Sequence, residues 1–177
     1  GLTSKRVAEK YNFKFCANNE NDIFNDSSNT IFITTRHNSH ASYVLKSLKS
    51  KKHVFVEKPL CLKEEELDEI IDAQKIAKKV VMVGFNRRFS PLTQKIIKYF
   101  GNGPMSMIYR INAGNIPKDN WLQDTDFGGG RIIGEVCHFI DYLTFINGSI
   151  PTQVSAQVLD NPENLNDTVN ILLKFKN

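Results

Sequence analysis

Apolar residues in the first hundred positions follow two rhythms in alternation. Ile31-Phe32-Ile33-Thr34-Thr35, His53-Val54-Phe55-Val56 and Val80-Val81-Met82-Val83 are short β-branched runs, the pattern of buried parallel strands. Between the first two, Ala41, Val44, Leu45 and Leu48 recur at i, i+3, i+4 and i+7. That spacing makes one face of a helix, which Asn38 or Ser39 is placed to cap. Between the second and third, Leu67, Ile70, Ile71 and Ala77 form the inward stripe of another helix. It opens on Glu64, Glu65 and Glu66 and closes on Lys75, Lys78 and Lys79, a charge order that suits the helix dipole. Strand, helix, strand, helix, strand with short links predicts a parallel sheet joined by right-handed crossovers.

Other segments are read in the same way. A short helix capped by Thr3 or Ser4 carries Val7, Ala8 and Tyr11, and a polar stretch over 18–29 follows it. Ser90-Pro91 starts a helix that runs to Phe100, with proline in the first helical position. Gly101-Asn102-Gly103-Pro104 breaks it and sets an expected domain boundary, 1–103 against 104–177. The second half has a different order: a strand over 105–112, a loop holding Trp121, a helix introduced by Gly128-Gly129-Gly130 and stopped by Asn147-Gly148, then strands over 152–159 and 168–175. This is α+β, with an open mixed or antiparallel sheet.

Composition narrows the function classes. With 41% hydrophobic and 24% charged residues in 177, the chain can bury a core and is not a disordered tail. The net charge of +4 is spread along the chain, too dilute for the basic stripe that nucleic acid requires. No apolar run reaches the ~20 residues of a membrane-crossing helix, and the opening is not a signal peptide. Cys16, Cys61 and Cys137 are odd in number and widely spaced. They read as three buried thiols in a reducing, cytoplasmic setting, without a structural zinc site. The chain opens at Gly1 inside a helix entry, so the expectation is a piece of a longer polypeptide.

Two constellations carry candidate chemistry. Glu57-Lys58-Pro59 sits at the end of a strand, on the edge where open parallel sheets bind ligands. Proline holds Lys58 out of the helical region and admits a cis bond; the competing reading is a solvated pair closing a strand. In Gly128 through Asp141, Ile133, Val136, Cys137 and Ile140 make a buried stripe, while Glu135 and His138 share another face at i and i+3. A carboxylate beside an imidazole makes a general acid–base, or a histidine merely satisfied by its neighbour. Glu135-x-x-His138 is also half of a helical di-iron motif, but no second copy exists, so no metal is expected. Asn86-Arg87-Arg88-Phe89 can hold a phosphate or sugar hydroxyls, or be a solvated turn. Trp121 can stack on a sugar face or anchor its loop.

These blocks, in this order, resemble the glucose–fructose oxidoreductase, inositol dehydrogenase and MocA family: 31–40, 52–60, 83–91 and 128–141. The resemblance implies a partial Rossmann-type sheet followed by an α/β domain, and hydride exchange between NAD or NADP and a sugar, nucleotide-sugar or polyol carbon. It implies that Lys58 polarises the reacting oxygen, that His138 accepts its proton, and that Glu135 assists. It places Thr34, Thr35, Arg36, His37, Asn38, His40, Glu57, Lys58 and Asn86 at the cofactor, and Lys58, Arg87, Trp121, Arg131 and His138 at the substrate. It also implies a homo-oligomer formed through the C-terminal sheet. The alternative is a non-catalytic sugar-binding or assembly module on the same scaffold. Two departures stand out. Gly134 takes the place where many members carry an aspartate, and no glycine-rich dinucleotide fingerprint occurs in the 177 residues. That fingerprint grips the pyrophosphate at a helix N-terminus. The isolated chain is therefore expected to bind a nicotinamide dinucleotide weakly or not at all, and micromolar binding in isothermal calorimetry would overturn the expectation.

Overall fold

The computed structural model describes residues 2–101, 103–160 and 167–176. Gly1 and Asn102, named above at the opening and in the glycine-rich break, lie outside them. The first half is a parallel sheet of β1 (Thr30–Ile33), β2 (His53–Val56) and β3 (Val81–Val83) in that order. Its crossovers are α3 (His40–Lys49) and α4 (Glu64–Ala77). Ahead of it come α1 (Leu2–Lys10) and α2 (Glu20–Phe24). α1 begins at Leu2, so neither Thr3 nor Ser4 is its cap. The polar stretch hides α2, capped by Asn19, whose side chain accepts from the Asn21 amide. Glu20 ties α2 to α3 through Lys46 at 2.5 Å.

The core lies between one face of the sheet and the two crossover helices. Ile31, Ile33, Val54 and Val56 point into it and meet Ala41, Val44 and Leu48 of α3 and Ile70 of α4. Strand side chains alternate between faces, so Phe32, next to two buried isoleucines, is 71% exposed. The apolar runs had read as strands covered on both sides; α3 and α4 cover one. The stripe on α4 is likewise narrower than its periodicity, because only Ile70 is buried while Leu67 and Ile71 stay largely exposed. Lys78 ends α4 in the left-handed conformation.

After a 3₁₀ turn over Asn86–Phe89 comes α5 (Pro91–Phe100), with proline in its first turn as expected. The expected strand over 105–112 is absent: those residues carry no strand assignment and join no sheet. A strand needs a ladder partner, and here the segment is held by side chains instead. Tyr109 packs against Phe139 and Tyr142, and Arg87 donates to its hydroxyl at 3.4 Å. A π-turn over Ile132–Val136 leads directly into α6 (Cys137–Asn147), which stops at left-handed Gly148. β4 (Pro151–Val158) and β5 (Val169–Phe175) then pair antiparallel.

Candidate active site

The carboxyl ends of β1 to β3 face the turn that opens α6, and three contacts join them. The first comes from β1. His37 is buried, with Nδ1 2.8 Å from the Gly128 carbonyl, and the Asn38 amide donates to the Phe127 carbonyl at 3.1 Å. Trp121 stacks its edge against His37 at 4.9 Å, and Arg36 lies over the Trp121 ring at 5.5 Å. Trp121 is therefore gathered against the β1 tip by two residues of the 34–38 turn.

The second comes from β2. Beyond Val56, Glu57 folds against Gly84 of the β3 tip, where a Cβ would lie 3.0 Å from its carboxylate. Lys58 precedes a cis bond to Pro59 and donates from Nζ to the Gly134 carbonyl at 2.5 Å, across 76 residues of chain. That carbonyl lies within the π-turn, four residues before His138. An apolar pocket lined by Pro59, Leu60, Phe85, Ile132, Cys137 and Ile140 runs alongside.

The third comes from β3. Arg88 grips Asp141 of α6 with two bonds, one of them from Nε at 2.7 Å. Arg87 is exposed, with its guanidinium over the Phe139 ring at 4.9 Å. Thr34, Asn38 and Asn86 are also exposed along this edge, while the Thr35 and Ser39 hydroxyls bond each other at 2.6 Å.

His138 stands where these contacts converge. Its Nδ1 is buried and has no hydrogen-bond partner among the described residues. Burial pushes its pKa down, and the positive charges of Arg87 and Lys58 push it further. Asp141 and Glu57 oppose them in part. The imidazole is thus held toward its neutral form, the state that can take a proton. Burial also lowers His37, while its bond to Gly128 works the other way.

Several expected site residues lie elsewhere or are already engaged. Glu135 does not pair with His138; its carboxylate takes Arg131 Nε at 3.0 Å. The i, i+3 argument assumes an α-helical turn, and the π-turn rotates Glu135 off that face. Arg131 also donates to the Gly114 carbonyl at 2.6 Å and is buried, so it braces the 114 loop instead of reaching for a ligand. Ile133, expected in the buried stripe, is 40% exposed for the same reason. His40, expected at the cofactor, is fully buried, with its ring nitrogens 2.7 Å from the Pro59 carbonyl and 2.9 Å from the Thr35 carbonyl. It bridges the backbone just past the tips of β1 and β2. Cys16 is exposed rather than buried. Cys137 is pushed up to about 11 by burial, with Lys58 pulling the other way, which leaves it a poor nucleophile at neutral pH.

The clamp has a measurable worth. His40→Ala removes a fully buried ring that lies against two backbone carbonyls, and it is expected to lower the unfolding free energy by about 1–3 kcal/mol. Urea unfolding of the variant measures this, and a change within about 0.5 kcal/mol of zero, the range of an idle surface site, would show that His40 holds nothing.

Residues 2–85 match the family described as "Oxidoreductase family, NAD-binding Rossmann fold", and residues 102–177 match "GFO/IDH/MocA C-terminal domain". Myo-inositol 2-dehydrogenase of Thermotoga maritima is 28% identical over 181 aligned positions, spanning 97% of this chain and 54% of that protein. Trans-1,2-dihydrobenzene-1,2-diol dehydrogenase of Xenopus laevis is 23% identical over 97% of this chain and 54% of its own length. The chain spans about half the length of the curated relatives it matches. Levoglucosan dehydrogenase in complex with NADH and levoglucosan superposes with a TM-score of 0.84 at 23% identity, over 99% of this chain and 52% of that one, a likeness that shows the fold. By these matches to both of its halves, the chain belongs to the Gfo/Idh/MocA family of NAD-binding oxidoreductases.

Proposed function

We propose that this chain carries the reacting groups of an NAD- or NADP-dependent dehydrogenase that oxidises a hydroxyl-bearing carbon of a sugar, nucleotide sugar or polyol. One observation carries the reading: Lys58 of the sheet edge and His138 of α6 lie close enough for the lysine's charge to depress the histidine, and His138 Nδ1 is buried without a partner among the described residues. Buried polar atoms are nearly always paired. A histidine held toward its neutral form beside a fixed ammonium pairs a proton acceptor with a donor for the reacting oxygen.

The residues present fit the nicotinamide side of a dinucleotide. Thr34, Arg36, Asn38 and Asn86 line the carboxyl edge of a parallel sheet and are exposed there. Glu57 reaches across Gly84 because that residue has no Cβ. These groups would hold the cofactor, together with the Thr35 turn; His40, its nitrogens already turned to carbonyls, would not. When bound, the nicotinamide supplies the acceptor for the hydride. Every other part is played by the chain. An ammonium has three donors; Lys58 spends one on Gly134 and keeps others for the substrate oxygen. The developing alkoxide is stabilised by that charge, and His138 takes the hydroxyl proton. Arg87 and Trp121 border the substrate. We place residues 1–103 on the cofactor side and 104–177 on the substrate side, the latter also supplying a subunit contact through its exposed sheet. The setting proposed is the cytoplasm.

The test is turnover by the protein expressed from its whole reading frame, with NAD or NADP and a panel of sugars and polyols, read by formation of reduced nicotinamide. The base form of His138 is the neutral one, and its pKa lies below the 6.5 of an ordinary histidine. The rate of alcohol oxidation, as kcat/KM, is therefore expected to rise with pH through a midpoint below that value and to be level at neutrality. Arg87→Gln removes a positive charge that lowers His138, so its midpoint is expected to move up. A pH-independent rate would remove His138 as the base, and absence of any hydride transfer across the panel would overturn the function.

A further inference from the structure

A lysine asked to polarise an oxygen must be held, and a carboxylate is a strong holder for it. Lys58 has none: among the described residues it takes part in no ion pair. Its ammonium donates instead to the carbonyl of Gly134. That residue is buried, and a Cβ on it would lie 3.2 Å from the Gly128 carbonyl oxygen and 3.4 Å from His37 Cε1, so a side chain here would crowd its neighbours, and with glycine the acceptor is backbone. The π-turn over Ile132–Val136 supplies one. Such a turn loosens the i→i−4 ladder and lets a donor from outside reach a carbonyl.

We infer that the Gly134 carbonyl, presented by the π-turn, is the positioning group for Lys58, and that it holds the ammonium as a neutral acceptor. This rests on the proposed role of Lys58 at the reacting oxygen. The charge consequence is specific. A carboxylate partner would cancel the ammonium within the site. A carbonyl leaves it whole, so one positive charge acts both on the substrate oxygen and on His138. Of the carboxylates around the site, Glu135 pairs with Arg131 and Asp141 with Arg88, and Glu57 lies against Gly84; Asp141 and Glu57 offset part of the effect of Lys58 and Arg87 on His138. The π-turn is then a working part, because it turns a helix backbone into the lysine's seat one turn before the base.

The bond can be read directly in the 177-residue chain. With lysine side chains labelled in ¹⁵N and glycine carbonyls in ¹³C, a through-hydrogen-bond coupling is expected between Lys58 Nζ and the Gly134 carbonyl, and it should vanish in Lys58→Met. A second readout is the ring-proton titration of His138. Its midpoint is expected to rise in Lys58→Met and to stay in place in Lys98→Met, which removes an exposed charge on α5. An ammonium not held within reach of the imidazole would leave that midpoint unmoved. Absence of the coupling, or an unmoved His138 midpoint, overturns the inference. Loss of turnover in full-length Lys58→Met without any coupling in the chain would overturn this inference alone. An intact coupling with full turnover in Lys58→Met would overturn the function proposed above, and with it the role given to the bond.

Discussion

Lys58→Met in the full-length protein is expected to lower kcat by about 10²–10⁴-fold, with a comparable loss in His138→Gln, the range that positioned acid–base groups supply. Methionine keeps most of the unbranched stem of the side chain, one atom shorter, while removing the ammonium. The loss therefore reports charge and donors rather than packing. On the proposed reading Arg87 and Trp121 border the substrate as well, so KM should move far less than kcat, the signature of an interaction realised mainly in the transition state. The two side chains act on one proton and one oxygen, so the double variant should be little worse than the poorer single one. Wild-type turnover in either single variant, with its thermal unfolding unchanged, would mean that the residue is not part of the chemistry.

Much of this site was legible before the structure because its parts sit at ends of elements. β2 occupies 53–56 as its β-branched run indicates, so Lys58 falls just past a strand tip by counting alone. α4 opens on three glutamates and α5 on a proline, as read. The antiparallel pair β4 and β5 follows its apolar runs within a residue or so.

What could not be read depends on contacts between distant residues or on a choice between two helical geometries. Nothing in Ile132-Ile133-Gly134-Glu135-Val136 announces a π-turn. With α spacing assumed, Glu135 faces His138; with the π-turn present it faces Arg131. The strand predicted over 105–112 failed on pairing. Alternating apolar residues state a willingness to form a strand, but only a neighbour with free backbone groups makes one. The clamp of His40 on Thr35 and Pro59 was hidden too, although it lies within a block that was singled out. A buried histidine and a ligand-binding histidine look alike in one sequence. The one faint signal for Gly134 was the missing side chain itself, where the resemblance leads one to expect an aspartate.

Gly128→Ala is expected to be the most damaging small substitution in the chain. Glycine is usually explained by backbone freedom, but Gly128 is not among the positive-φ residues, and the reason here is space. A Cβ would sit 2.5 Å from Leu122 Cα and 2.6 Å from the carbonyl oxygens of Trp121 and Leu122. These are backbone atoms, which cannot swing aside as a side chain can. Overpacking ordinarily costs about 1–3 kcal/mol, and with only backbone to move the expectation is about 3 kcal/mol or more. For a chain of this size that lowers Tm by roughly 6–12 °C. Gly130→Ala is the internal control. It is left-handed at φ 67° with nothing within 4 Å of its Cβ, so it should cost only the left-handed penalty, roughly 1–2 kcal/mol. The larger loss has a local signature as well. Trp121 is the only tryptophan, and its carbonyl would be pushed from the very glycine whose own carbonyl receives His37. Gly128→Ala should therefore shift the fluorescence of the folded protein, whereas Gly130→Ala should not. Equal stability of the two variants would mean that the loop over 121–128 yields freely, and that the contact of Trp121 with His37 and Arg36 is not what seats α6 against the strand tips.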